Sequence, residues 1–94
     1  KTLPRTRDPS TRIDNTLGYW RRRRPGRRGH LSQRELARLV DRCPSEVGRY
    51  ERGERLPTVP VLFKLSAALD MPPASLYPAL CRECVEEVQS RKHE

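Results

Sequence analysis

Residues 31–53 read LSQRELARLVDRCPSEVGRYERG, and this stretch decides the fold. Ser32-Gln33-Arg34-Glu35 has the form of a capping box, in which the Ser32 hydroxyl and the Glu35 carboxylate each satisfy a backbone N–H that the first helical turn leaves open. Leu31 before it and Leu36 after it make the matching hydrophobic staple. A helix therefore starts at Gln33, with Leu36, Ala37, Leu39 and Val40 as its apolar face. Pro44 disfavours helical geometry at Cys43, so this helix stops near Asp41 and a turn spans 41–43. Pro44 then suits the first position of a second helix, where its missing N–H costs nothing. That helix, 44–52, ends before Gly53. Only Val47 and Tyr50 point inward, and Pro44, Ser45, Glu46, Gly48 and Arg49 are left outward. A helix with so thin an apolar stripe is not there mainly to pack. Gly48 costs about 1 kcal/mol relative to Ala at such a position, which suits a surface that something large approaches closely.

The flanking segments supply the rest of a small helical domain. Downstream, Thr58 can cap a helix running to Leu69, with Leu62, Leu65 and Leu69 in register and Val61, Phe63 and Ala68 beside them. Asp70-Met71-Pro72-Pro73 breaks it, and 74–77 makes a short fifth helix before Pro78. From residue 79, Leu80, Cys84, Val85 and Val88 recur at helical spacing on a charged segment, a narrow stripe that needs something to pack against. Upstream, Asp14 or Thr16 can cap a first helix carrying Leu17 and Trp20, ended by Pro25-Gly26 and a loop to His30. Residues 1–13 hold two prolines and few large apolar groups, too little to offset the entropy of ordering, and read as a flexible basic arm. The expected organisation is an all-α, five-helix domain over 14–78, the arm over 1–13, and a C-terminal amphipathic helix and tail over 79–94.

Charge is distributed unevenly. The 94 residues carry 20 Lys or Arg against 12 Asp or Glu, a net +8. Residues 1–34 hold eleven of the basic groups against Asp8 and Asp14, so the excess lies at that end. Seventeen of the 20 are arginine, whose planar fork matches phosphate and the guanine edge better than an ammonium does. A polyanion partner, nucleic acid above all, is the expectation.

Helix, three-residue turn and short polar-faced helix is the geometry that lays a helix in the major groove of DNA. The run from Leu31 to Tyr77 resembles, without a gap, the lambda-repressor and Cro type helix-turn-helix family, also called the xenobiotic-response-element family. The matching landmarks include Ser32-Gln33, Glu35-Leu36-Ala37, Val47, Arg49-Tyr50-Glu51-Arg52-Gly53, Pro57, Lys64-Leu65 and Ala68-Leu69. The resemblance implies roles for individual residues. Ser32, Gln33 and Arg34 would meet the DNA backbone at the start of the second helix, with Gln33 on a phosphate. Ser45 and Arg49 would face base edges, with Pro44, Glu46 and Gly48 lining the same surface. Arg52 and Arg55 would hold the backbone on the far side. Glu51 would pair with one of Arg21 to Arg24, a structural task. Arg27 and Arg28 join the candidate DNA contacts, along phosphates or in a neighbouring minor groove. The sequence departs from the family pattern at Asp41, where Gly is usual, at Cys43, where Ser or Thr is common, and in a loop 25–30 about one residue longer.

Other chemistry is poorly supported. Cys81-Arg82-Glu83-Cys84 with His93 could offer part of a zinc site, but a closed site needs four ligands, and two small hydrophobes on a packed helix face is the favoured reading. Neither a phosphate-cradling glycine loop nor a nucleophile, base and orienter set is present, so neither an enzyme nor a cofactor is expected. Three cysteines, an odd number, and the lack of a membrane-length apolar run suggest a reduced, cytoplasmic and nucleoid-associated protein. The expectation is a sequence-specific regulator of transcription that binds double-stranded DNA as a homodimer on an inverted repeat. The amphipathic tail and the residues near Leu56, Met71 and Pro72 are its candidate dimer surfaces. The alternative is a protein-interaction module, antitoxin-like or a transcription-complex subunit, that binds a protein partner through its C-terminal helix.

Overall fold

The computed structural model describes residues 12–93. Among them the order is α1 (Leu17–Arg21), β1 (Pro25–Gly26), β2 (Gly29–His30), α2 (Gln33–Leu39), α3 (Pro44–Glu51), α4 (Val59–Leu69), α5 (Pro73–Leu76) and α6 (Pro78–Lys92). Five helices and a C-terminal sixth agree with the sequence reading. The small antiparallel ribbon, pairing Pro25 with His30 and Gly26 with Gly29, replaces the expected loop.

Local signals explain most of the boundaries. The capping box at α2 is complete, with the Ser32 hydroxyl accepting the Glu35 N–H at 3.0 Å and Glu35 Oε1 accepting the Ser32 N–H at 2.9 Å. Asp41 takes a left-handed conformation (φ 58°) at the turn, the backbone that glycine usually supplies and that Asp tolerates better than most residues. Cys43 is the N-cap of α3, with Pro44 following, and its side chain makes no capping bond. The start of α1 differs from expectation. Neither Asp14 nor Thr16 caps it through a side chain; Asn15 Oδ1 accepts the Leu17 N–H at 3.0 Å. Thr16 instead donates its hydroxyl to the Ser75 carbonyl at 2.6 Å.

The core joins Leu17, Leu31, Leu36, Ala37, Val40, Val47, Tyr50, Val61, Leu65, Leu69, Leu76 and Tyr77, all buried. The staple pair, Leu31 and Leu36, is part of it. Two expected core residues lie outside: Leu39 is 60% exposed and Phe63 is 59% exposed. Each sits at the edge of an apolar arc wider than its helix can bury; the core takes Val40 and Leu65 instead, with Leu62 packed against it. The stripe on α6 is corrected too. Leu80 packs on the core, whereas Cys84, Val85 and Val88 are exposed. The helix begins at a turn centred on Tyr77, and none of its own residues is buried.

The N-terminal segment enters the fold earlier than the composition suggests. Ile13, assigned to the arm by sequence, packs on the core and donates its N–H to the Gly53 carbonyl at 2.9 Å. Gly53 has φ 76°, and a Cβ there would lie 2.7 Å from the Ile13 nitrogen, so the approach requires glycine. Asn15 Nδ2 donates to the carbonyls of Tyr50 (2.9 Å) and Ile13 (3.1 Å). These bonds satisfy the end of α3. Residues 1–11 of the expected arm lie outside the described residues.

Candidate nucleic-acid interface

The orientation of α3 is set from behind. Val47 and Tyr50 anchor it in the core, and Glu51 locks its last turn. Arg21 Nε and Nη2 donate to Glu51 Oε2 and Oε1 at 2.5 and 3.1 Å, a two-pronged contact between side chains only 9% and 10% exposed. Arg21 Nη1 donates to the Leu31 carbonyl at 3.0 Å, and Gln33 Nε2 donates to Glu51 Oε1 at 3.0 Å. One carboxylate thus ties α1, the entry to α2 and α3 together. Charge-assisted bonds of this fork geometry are directional as well as strong. Of the four arginines that could meet Glu51, Arg21 is the one that does. Arg23 lies over the Tyr19 ring at 3.6 Å instead.

With its back fixed, α3 presents Pro44, Ser45 and Arg49 exposed and Glu46 half-buried. The Cys43 thiol sits 3.4 Å from both the Ser45 hydroxyl and Glu46 Oε1, at the same end of the helix. Gly48 is a correction: it is buried, not outward. The guanidinium of Arg52, one turn on, folds over it, with Gln33 close by. Lacking a side chain, Gly48 leaves a seat that the longer neighbours cover. Arg52 is exposed, and its Nε donates to Glu54 Oε2 at 2.9 Å. Arg12 Nη1 reaches the same carboxylate at 2.8 Å. Hydrogen bonding from Arg52, then from Arg12, pulls the Glu54 carboxyl down to about 2.

The remaining candidates lie to the side of α3. Arg27, Arg28 and Arg34 are exposed, and with His30 and Arg38 they line an open hollow of about 540 Å³ between the ribbon and α2. Ser32 is half-buried at its edge, its hydroxyl committed to the cap. Gln33 is half-buried, with its amide N–H on Glu51. Arg55 is exposed beyond the C-terminal end of α3. The structure therefore brings Ser45, Arg49, Gln33 and Arg52 around one helix and gathers Arg27, Arg28 and Arg34 at a neighbouring one.

Cys81 and Cys84 line an apolar groove with Leu56, Leu62, Tyr77 and Leu80, while His93 caps the far end of α6. Among the described residues no group of three or more His, Cys, Asp or Glu is placed to hold a metal ion. No described helix is long and apolar enough to cross a membrane.

Sequence reasoning missed the ribbon and the docking of residues 12–15 on α3. The Pro25-Gly26-Arg-Arg-Gly29-His30 pattern is a two-residue hairpin signal with glycine on both sides. Gly53 marked the end of α3 but carried no sign of which strand of chain would close on it. A family model described as Helix-turn-helix matches residues 27–76, just over half of the chain. Neither a curated protein nor a solved structure gives a significant match.

Proposed function

Because the chain belongs to the helix-turn-helix family of the lambda-repressor and Cro type, we propose that it regulates transcription by reading a specific duplex DNA sequence with α3 in the major groove. The observation that carries this reading is the two-sidedness of α3. Its inner face is fixed by Val47, Tyr50 and the Arg21–Glu51–Gln33 network, and its outer face offers Ser45 and Arg49 to a partner. Arg49 has the fork that matches O6 and N7 of guanine, and Ser45 can donate to or accept from either base type. Arg52 and Arg55 would hold the backbone beyond the helix end, and Gln33 would donate the second hydrogen of its amide to a phosphate while the first stays on Glu51.

The active form in this reading is a homodimer on an inverted repeat. The support is apolar surface away from α3: Val59 and Phe63 are exposed on α4, Val85 and Val88 on α6. A twofold pair would set two copies of α3 about 34 Å apart, one turn of DNA. The same exposed α6 face supports a second reading, in which the fold is a scaffold and α6 takes a larger protein partner.

Selection from a random duplex library at two salt concentrations separates the readings. An inverted repeat that persists at the higher salt is the expected result, and its spacing reports the dimer geometry. Retention that is salt-sensitive and without sequence preference would leave only a nonspecific basic tether. A partner whose binding survives Arg49→Ala and is abolished by Val85→Asp would favour the scaffold.

A further inference from the structure

We propose that Arg12 is a positioning residue for DNA binding: by holding the Glu54 carboxylate at the end of α3, it leaves the guanidinium of Arg52 free to take a backbone phosphate. The proposal rests on the DNA-binding reading above and adds to it a residue that acts through another and makes no DNA contact of its own.

The need for such a residue comes from charge. Arg52 is the cation that would hold the DNA backbone beyond α3, yet its Nε donates to Glu54 Oε2 at 2.9 Å and its Nη2 to Oε1 at 3.5 Å. An arginine bound to one carboxylate makes a neutral pair, and that carboxylate repels an approaching phosphate. The acids that act on Arg52 are Glu54 and Glu51. Glu51 is matched by the two-pronged contact from Arg21. Arg12 stands in the same relation to Glu54, its Nη1 donating to Oε2 at 2.8 Å. Each acid at this end of α3 thus has an arginine of its own from earlier in the chain, and Arg52 is the cation in excess.

Arg12 is held there by the backbone that follows it. Ile13 packs on the core and donates its N–H to the Gly53 carbonyl at 2.9 Å, and Asn15 Nδ2 donates to the carbonyls of Tyr50 at 2.9 Å and Glu51 at 3.4 Å. Arg12 Nη1 donates to the Arg52 carbonyl at 3.3 Å. Residues 12–15 therefore meet four consecutive carbonyls, from Tyr50 to Gly53, and clasp the end of α3. Open carbonyls make the C-terminal end of a helix a favourable place for a cation. The clasp fixes the base of the Arg12 side chain, so less freedom is lost in keeping Glu54 engaged when DNA arrives.

The two arginines reach Glu54 from different directions. Arg52 Nη1 lies 3.1 Å from the place that a Cβ of Gly48 would take, and Gln33 Oε1 lies 3.8 Å from the same place. Arg52 therefore turns back along α3 towards Gln33, the other side chain expected to meet a phosphate. With Nε and Nη2 on Glu54, Nη1 is the nitrogen it has left for that task. Arg12 comes instead from beyond the end of α3, where Glu54 and the Arg52 carbonyl both take its Nη1.

The test uses the full chain and its selected duplex, with affinity followed against salt. The proteins are the natural chain, Arg12→Gln, Glu54→Gln, and Glu54→Gln combined with either Arg12→Gln or Arg52→Gln. Arg12→Gln alone is expected to weaken binding about fivefold at moderate salt and to flatten the salt dependence by about one phosphate contact. Glu54→Gln should bind at least as tightly as the natural chain. With Glu54 neutral, Arg12 has no task, so adding Arg12→Gln should change neither affinity nor slope, whereas adding Arg52→Gln should still remove about one contact. An equal loss from Arg12→Gln in both backgrounds would mean that Arg12 meets a phosphate itself or holds the fold, and either overturns the proposal. No effect of Arg52→Gln would overturn it too. If Arg12→Gln binds the duplex as the natural chain does, the proposal falls and the DNA-binding reading stands. If the natural chain retains no duplex even at low salt, both fall together.

Discussion

Arg21 on α1 and Glu51 at the end of α3 meet through two N–H···O bonds, 30 residues apart in sequence and nearly out of reach of water. Removing one partner of a buried pair strands the other charge, at a cost of about 3–5 kcal/mol. Arg21→Ala and Glu51→Ala should each lower stability by that order in urea denaturation. Arg21→Lys, which keeps the charge but not the fork, should recover only part of it. A double variant that is no worse than either single one would confirm that the two residues act as one unit.

Arg49→Ala tests base reading. The expected loss is about 1–3 kcal/mol of affinity, with preference relaxed at one position of the site. Arg55→Ala should instead weaken binding to all sequences alike and lower the salt slope by about one. Equilibrium binding to a panel of single-base variants of the site distinguishes the two patterns.

Cys43 occupies the N-cap of α3 without a capping bond from its side chain. Replacing it with Ser supplies the hydroxyl that can accept an N–H of the first turn, and Cys43→Ser should stabilise the chain by about 0.5–1 kcal/mol. A thermal melt that does not rise would mean that the contacts of the thiol with Ser45 and Glu46 already hold the turn.

Gly53→Ala meets two obstacles together, a left-handed backbone (φ 76°) and the Ile13 backbone lying where the new methyl group must go. A loss of about 1–3 kcal/mol is expected, with faster amide exchange at Ile13. An unchanged exchange rate at Ile13 would show that the segment can step aside without loss.

Glu54 titrates at about 2, against an ordinary 4.5, because Arg52 and Arg12 bond its ionised form. A folded pKa below the unfolded one gives a contribution that is whole above about 4.5 and lost as the pH falls through about 2. Carboxyl chemical shifts should place Glu54 below the other acids. Arg12→Gln should raise its midpoint, and no shift in that variant would remove Arg12 from the pair.

The parts of this fold that could be read from sequence are those decided within one helical turn. Ser32 and Glu35 cap α2 because their spacing alone brings them together, and Val47 and Tyr50 face inward because little else on α3 is apolar. Asp41 was readable as a left-handed turn once its place between two helices was known. What could not be read depends on neighbours distant in the chain. Which of four consecutive arginines meets Glu51 turns on the path of the 25–30 connection. Gly48 looks exposed until Arg52 is seen to cover it, and Phe63 and Leu39 look buried until the core is full. Periodicity on α6 reports a stripe but carries no information on the direction in which the helix leaves the domain.

That direction is set at a single joint. Tyr77 both ends α5 and begins α6, with φ −130° and ψ 63°, and Pro78 stiffens the next step. Fifteen residues extend beyond it, a rod of about 22 Å. A swing of about 10° at Tyr77 would carry the far tip through about 4 Å, more than the width of a base-pair step. The joint acts as a lever: a small rotation in the backbone of one tyrosine is multiplied along the helix into a displacement of its far end.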